Sequence, residues 1–166
     1  MFAKQLQKYF FTVVVLASIL LVYLWYKDYS FSSSPLEEKH QLSILKKQQE
    51  LKVLAYRNFK IKKEFPLIVS DKMSAQRFGM TTYDRNKNII IHLNKKRFKE
   101  SSNYMINDVL PHEYAHAIMF YFKDFTNENS GHSKRWQNIC KQLNGLRCDR
   151  FVNHEDILIE KTNPFK

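Results

Sequence analysis

Three glycines in 166 residues are too few to build a glycine-rich loop around a phosphate, and that class of site is excluded. Only two cysteines occur, Cys140 and Cys148, with seven residues between them. A zinc ribbon needs C-x-x-C pairs, so it is excluded too. Two cysteines do not define the compartment; an oxidising one would permit a bridge between them without requiring it. Internal repeats and low-complexity blocks are absent. The first 26 residues lack any acid and carry only Lys4 and Lys8 as basic side chains.

What stands in that charge-poor opening is a run of 18 uncharged residues, Tyr9 to Tyr26. At 1.5 Å per residue it measures about 27 Å as a helix, close to the apolar thickness of a bilayer. A cleaved signal peptide would have an apolar stretch of about 7 to 15 residues, and the one small-x-small site nearby is Ser30-Phe31-Ser32. A retained transmembrane helix over residues 9–26 is the expectation, with aromatics at both ends suited to the two interfaces. Lys4, Lys8 and the amino terminus flank it on one side; on the other Lys27 stands beside Asp28, with no further base until Lys39. This balance points to the N-terminus inside and the rest of the chain facing away from the cytoplasm.

The formal net charge is +11, and after the two leading lysines 25 basic residues still face 16 acids. Such an excess suits nucleic acid or an anionic membrane surface. Its densest cluster, Lys95, Lys96, Arg97 and Lys99, reads equally as a solvated loop, so nucleic acid is a candidate partner but not the favoured one.

Past the span, Ser30 to Ser34 reads as a polar tether and Ser34-Pro35-Leu36-Glu37 as a capping box opening a helix to about Tyr56 or Phe59. That helix is either packed along the domain or a stalk. Phe65 to Ser70 suits an edge or opening strand. Gln76 to Tyr83 and Asn88 to Leu93 flank the polar turn Asp84-Arg85-Asn86-Lys87 as an antiparallel hairpin. A helix starting near Ser101 or Ser102 should kink or restart at Pro111. After a loop over Thr126 to Gly131, Trp136, Ile139, Cys140 and Leu143 stripe a second helix that stops at Asn144-Gly145.

The kinked helix carries His112-Glu113-Tyr114-Ala115-His116. Two imidazoles four residues apart lie about 400° round a helix and share one face, so they can grip one metal ion. Glu113, about 100° further round, is placed to act on a water at that metal. With 6 histidines among 166 residues, chance would supply roughly 0.01 such matches, so coincidence is the weaker reading. A catalytic zinc usually takes three protein ligands. Met119 and Phe122 stand where the extended HExxHxxGxxH pattern needs glycine and histidine, which rules that arrangement out. Asp124, Glu128, His154 and Glu155 remain open as third ligand; His132, beside Gly131 at the head of the striped helix, is favoured.

Leu110-Pro111-His112-Glu113-Tyr114-Ala115-His116-Ala117, followed by Gly131-His132-Ser133-Lys134-Arg135-Trp136 and Leu143-Asn144-Gly145, resembles the SprT-like zinc metalloproteases. Ala75 to Gly79 and Asn88 to Asn94 resemble the strands that precede the motif helix there, and the likeness covers roughly residues 38–150. It implies zinc on His112, His116 and His132, Glu113 as catalytic acid/base, and a protein or peptide substrate. Trp136 falls where the family has a bulky aromatic, a packing position. Some members carry a four-cysteine ribbon that is not seen here, and those known for cleaving proteins on DNA are soluble.

The fold expected is α+β: an N-terminal transmembrane helix, then a small zincin-like domain with an antiparallel sheet beside the HExxH helix. Residues 1–8 form a tail, 9–26 the span, 27–60 a tether with a stalk or packing helix, and 61–166 the metalloprotease domain. Tyr83, Tyr104, Arg135 and His154 are the conceivable oxyanion partners. The rival reading, a membrane-anchored module with a structural metal, would need a fourth ligand such as His154 or Cys148.

Overall fold

A computed structural model describes residues 2–74, 76–124 and 131–148. The chain divides into two compact units, 1–35 and 36–166.

The first unit is one helix, α1 (Phe2–Ser33). It is long and apolar enough to cross a membrane, and its apolar side chains are exposed along its length. Its serine and threonine inside the apolar run are satisfied within the helix: Thr12 Oγ1 donates to the Lys8 carbonyl and Ser18 Oγ to that of Val14, each at 2.9 Å. These aliphatic hydroxyls near the middle of the run are thus not left to face hydrocarbon unbonded. The helix runs on through Ser33, so the stretch read as a tether is largely helical. The capping box does not form either. Ser34 Oγ turns back to the Phe31 carbonyl at 3.1 Å, and the next helix starts at Glu38 without a side-chain cap. The serine is drawn to the preceding helix, whose last carbonyls need donors.

In the second unit α2 (Glu38–Phe59) buries Ile44, Leu51, Leu54 and Ala55 and packs against the motif helix. Lys47 is also buried on this face, its Nζ donating to both Glu50 oxygens at 3.1 and 3.2 Å. The helix is therefore part of the domain's wall. Lys60, left-handed at φ 59°, ends it, and Asn58 Nδ2 reaches the Gln142 carbonyl at 2.7 Å.

Three strands follow, β1 (Leu67–Ser70), β2 (Gly79–Tyr83) and β3 (Ile89–Asn94), in the order β1-β3-β2. The hairpin β2-β3 is antiparallel as its turn chemistry indicates, with Lys87 at φ 65° and Asp84 accepting from the Asn88 amide. The pairing of β1 with β3 is parallel, which corrects the wholly antiparallel sheet expected. The loop after β1 crosses the sheet before β2 begins, so β3 returns between them in the direction of β1. Asn94 fixes this crossing: its Nδ2 donates to the carbonyls of Ser74 and Arg77, and its amide to that of Phe78. The same side chain accepts from the amides of Lys96 and Arg97 and so caps α3 (Lys95–Glu100). The basic cluster is thus a short helix, not a loop.

The alternation of side chains along β3 sends Ile89, Ile91 and Leu93 into the core, where the register aligns them with Gly79, Thr81 and Tyr83 on β2 and with Leu67 and Val69 on β1. Phe65, Phe98, Met105, Leu110, Tyr114, Ile118 and Trp136 complete this core; each such side chain contributes roughly 1.5 to 3 kcal/mol on leaving water.

Candidate metal centre

The helix that carries the motif is built in three pieces. A turn, α4 (Ser102–Tyr104), leads into a π-helical turn over Met105–Val109, and α5 (Leu110–Tyr121) follows with Pro111 in its first turn. Pro111 has no amide hydrogen and would crowd the carbonyl of Asn107 in a regular helix. The wider π turn absorbs that conflict: the Leu110 amide reaches back five residues to the Met105 carbonyl. The expected break before the motif is therefore a one-residue expansion rather than a stop.

Two structural features aim the third histidine. Ser133 Oγ accepts from the Trp136 amide at 3.2 Å and caps α6 (Lys134–Gln142), leaving His132 just outside the helix. Arg135, in the first turn of α6, donates to Asp124 beyond the end of α5 and lies over the Phe122 ring. Asp124, one of the open third-ligand candidates, is thus engaged in joining the two helices. At the far end Cys140 and Cys148 are bonded, with Cα atoms 5.7 Å apart, so Cys148 is not available as a ligand.

His112, His116 and His132 come together, one ligand atom from each within 4.8 Å of the others. The Nε2 of His132 lies 2.9 Å from that of His112 and 3.3 Å from that of His116. Two nitrogens at about 2.0–2.1 Å from a tetrahedral ion stand about 3.3 Å apart; the second distance matches and the first is a few tenths shorter. Burial, reinforced by the other imidazoles, pushes His112 down to about 3, and burial with His132 pushes His116 down to about 4. Both are neutral at pH 7, the state in which imidazole offers a lone pair. The donor set fits a divalent metal. Trp136 floors it, its ring centre 4.5 to 5.1 Å from all three imidazoles.

Glu113 leaves the triad's face and lies against β2. Its Oε2 accepts from Thr81 Oγ1 at 2.8 Å, and the same hydroxyl stands 2.8 Å from the Glu113 carbonyl. Burial pushes this carboxyl up to about 7, against the opposing effect of the Thr81 bonds. Sequence reasoning missed Thr81 and Gly79 as neighbours of Glu113. The available signal was a glycine inside a strand pattern, which marks close approach of another group.

Other residues singled out are placed as follows. Tyr104 packs edge-on to Phe78, and its phenol is pushed up to about 12 by burial and by Asp108. Tyr83 lies on Phe120. Glu128, His154 and Glu155 lie outside the described residues, and among the described ones no fourth ligand joins the three histidines.

No curated protein and no solved structure matches the chain. A sequence model of the SprT-like family, however, matches residues 46–157, a stretch that takes in α5, the three histidines and α6. With two thirds of its length matched, the chain belongs to the SprT-like family.

Proposed function

We propose that this chain is a membrane-anchored, zinc-dependent endopeptidase whose metal is held by His112, His116 and His132 and whose general base is Glu113. The observation that carries the reading is the convergence of three imidazole nitrogens beside one carboxylate that is not part of their cluster. Three ligands leave a coordination position open, as catalytic zinc sites do and closed structural sites do not. Zinc bound there supplies Lewis acidity, making water a nucleophile near neutral pH and polarising the scissile carbonyl.

The chain's own residues do the rest. Glu113 takes the proton of the attacking water and delivers it to the leaving amine. Burial raises this carboxyl above the usual carboxylate range in the metal-free chain, which favours its taking up a proton. The substrate, a protein or peptide, is supported by the sheet. Phe78 bonds to Asn94 and Asp84 to Asn88 at the two ends of the hairpin, so the alternation of an antiparallel pair turns the N–H and C=O of Gly79, Thr81 and Tyr83 toward the outer edge of β2. An extended peptide can pair with that edge alongside Glu113.

The anchor is α1, and residues 36–166 are proposed to face away from the cytoplasm. The lysine balance around the span supports this, as does the Cys140–Cys148 bond, which persists in oxidising compartments. The test is cleavage of fluorescently labelled casein by the detergent-solubilised chain. Chelation should stop cleavage and stoichiometric zinc restore it; chelator-resistant cleavage by the purified chain would overturn the reading.

A further inference from the structure

Glu113 needs a fixed aim to act as a base, and its own helix cannot give it one, because a glutamate has three rotatable bonds. We propose that Gly79 and Thr81 of β2 are its positioning residues: Gly79 provides the floor on which the side chain lies and Thr81 ties the carboxylate in place. The proposal rests on the reading of Glu113 as the base.

The two residues are i and i+2 on one strand and so face the same way, toward α5. At Gly79 a Cβ would stand 2.7 Å from Glu113 Cγ, 2.9 Å from Oε1 and 3.0 Å from Cδ; its three nearest neighbours are all atoms of this one side chain. The backbone of Gly79 is outside the left-handed region, so conformational freedom is not why glycine stands there. Room for Glu113 is. Two residues on, the Thr81 hydroxyl lies 2.8 Å from both Oε2 and the backbone carbonyl of Glu113; its single proton is shared between two acceptors of that one residue, so it ties to Glu113 whichever it serves. Floor and tie act on different atoms of the carboxylate, Oε1 and Oε2, which together fix its rotation. None of these side-chain contacts involves a histidine of the triad, so β2 touches the base without touching the imidazoles.

The test uses the full chain in detergent, zinc analysis and labelled casein. Thr81→Val keeps the shape and deletes the hydroxyl. It should lower kcat about tenfold, the size of one hydrogen bond to a charged group, with KM and zinc content unchanged. Thr81→Ser should recover kcat to within about threefold. An unchanged kcat in the valine variant, or a loss carried by KM or zinc, overturns the role of Thr81. Gly79 is tested by melting. Gly79→Ala should lower Tm by roughly 2–4 °C when Glu113 is present and leave it unchanged in a Glu113→Ala background, where the three contacting atoms are gone. Equal shifts in both backgrounds overturn the floor. The same cycle run with Thr81→Val, whose Tm loss should vanish in the Glu113→Ala background, reads floor and tie without any turnover, and equal losses in both backgrounds overturn the tie; failure of the parent chain to cleave casein counts against the hydrolase reading alone.

Discussion

The indole of Trp136 stands perpendicular to the imidazole of His132, ring centres 4.5 Å apart, and is itself completely buried. Among the described residues its Nε1 has no hydrogen-bond partner, which leaves its shape as what it brings to the site. It fills the space beneath three rings that must present their edges to one point. Trp136→Ala should cost about 3–5 kcal/mol in denaturant unfolding, the range for deleting a large buried aromatic, and should reduce zinc content as well. Trp136→Phe should cost less, since it also removes the unsatisfied donor. A stability loss under about 1 kcal/mol for the alanine variant would contradict this packing role.

The ligand set makes a separate prediction. His132→Ala should strip most of the zinc, because two histidines on one helix hold a divalent ion far less well than three around it. Glu128→Ala and His154→Ala should keep it. Metal analysis of the three variants decides the matter, and loss in the Glu128 variant alone would move the third ligand to Glu128.

Stability of the metal-free chain should depend on pH through Glu113. Burial pushes its folded carboxyl up to about 7 from the 4.5 of a free glutamate. A raised group favours the fold fully below the lower value and loses that contribution as pH climbs through the higher one. Glu113→Gln, neutral throughout, lacks this dependence. With chelator present, the Tm of the Gln variant minus that of the parent should therefore grow between pH 4.5 and 8. A constant difference would show that the carboxyl is not held neutral by its surroundings.

Much of the site was legible because its signals are local. The four-residue spacing of His112 and His116, the serine that caps α6 and the stripe from Trp136 to Leu143 all act within a few turns of one helix. The hairpin was legible from its polar turn. The parallel pairing of β1 was not, since it depends on a loop crossing that Asn94 secures from 17 and 20 residues away. Ser34 misled for the opposite reason: two helix ends compete for one hydroxyl, and the order of residues does not say which gains it. The Lys95 to Lys99 cluster looked like a loop by charge, although Asn94 just ahead of it is a strong helix-capping residue. The seat of Glu113 stayed hidden because it joins residues 32 apart.

Sidedness is open to a direct check. A tag after Lys166 should be removed by an impermeant protease added to intact cells, and thiols of the untreated chain should be blocked until reduction, as the Cys140–Cys148 bond requires. A tag that survives until lysis would put the domain in the cytoplasm and restore nucleic-acid-associated proteins as candidate substrates.

The central claim is that Glu113 performs the chemistry while three histidines hold the metal. Replacing Glu113 by glutamine removes the base but no proposed ligand. The account predicts that the Glu113→Gln chain retains its zinc, stays folded and no longer cleaves labelled casein; a glutamine variant that cleaves as fast as the parent would contradict it.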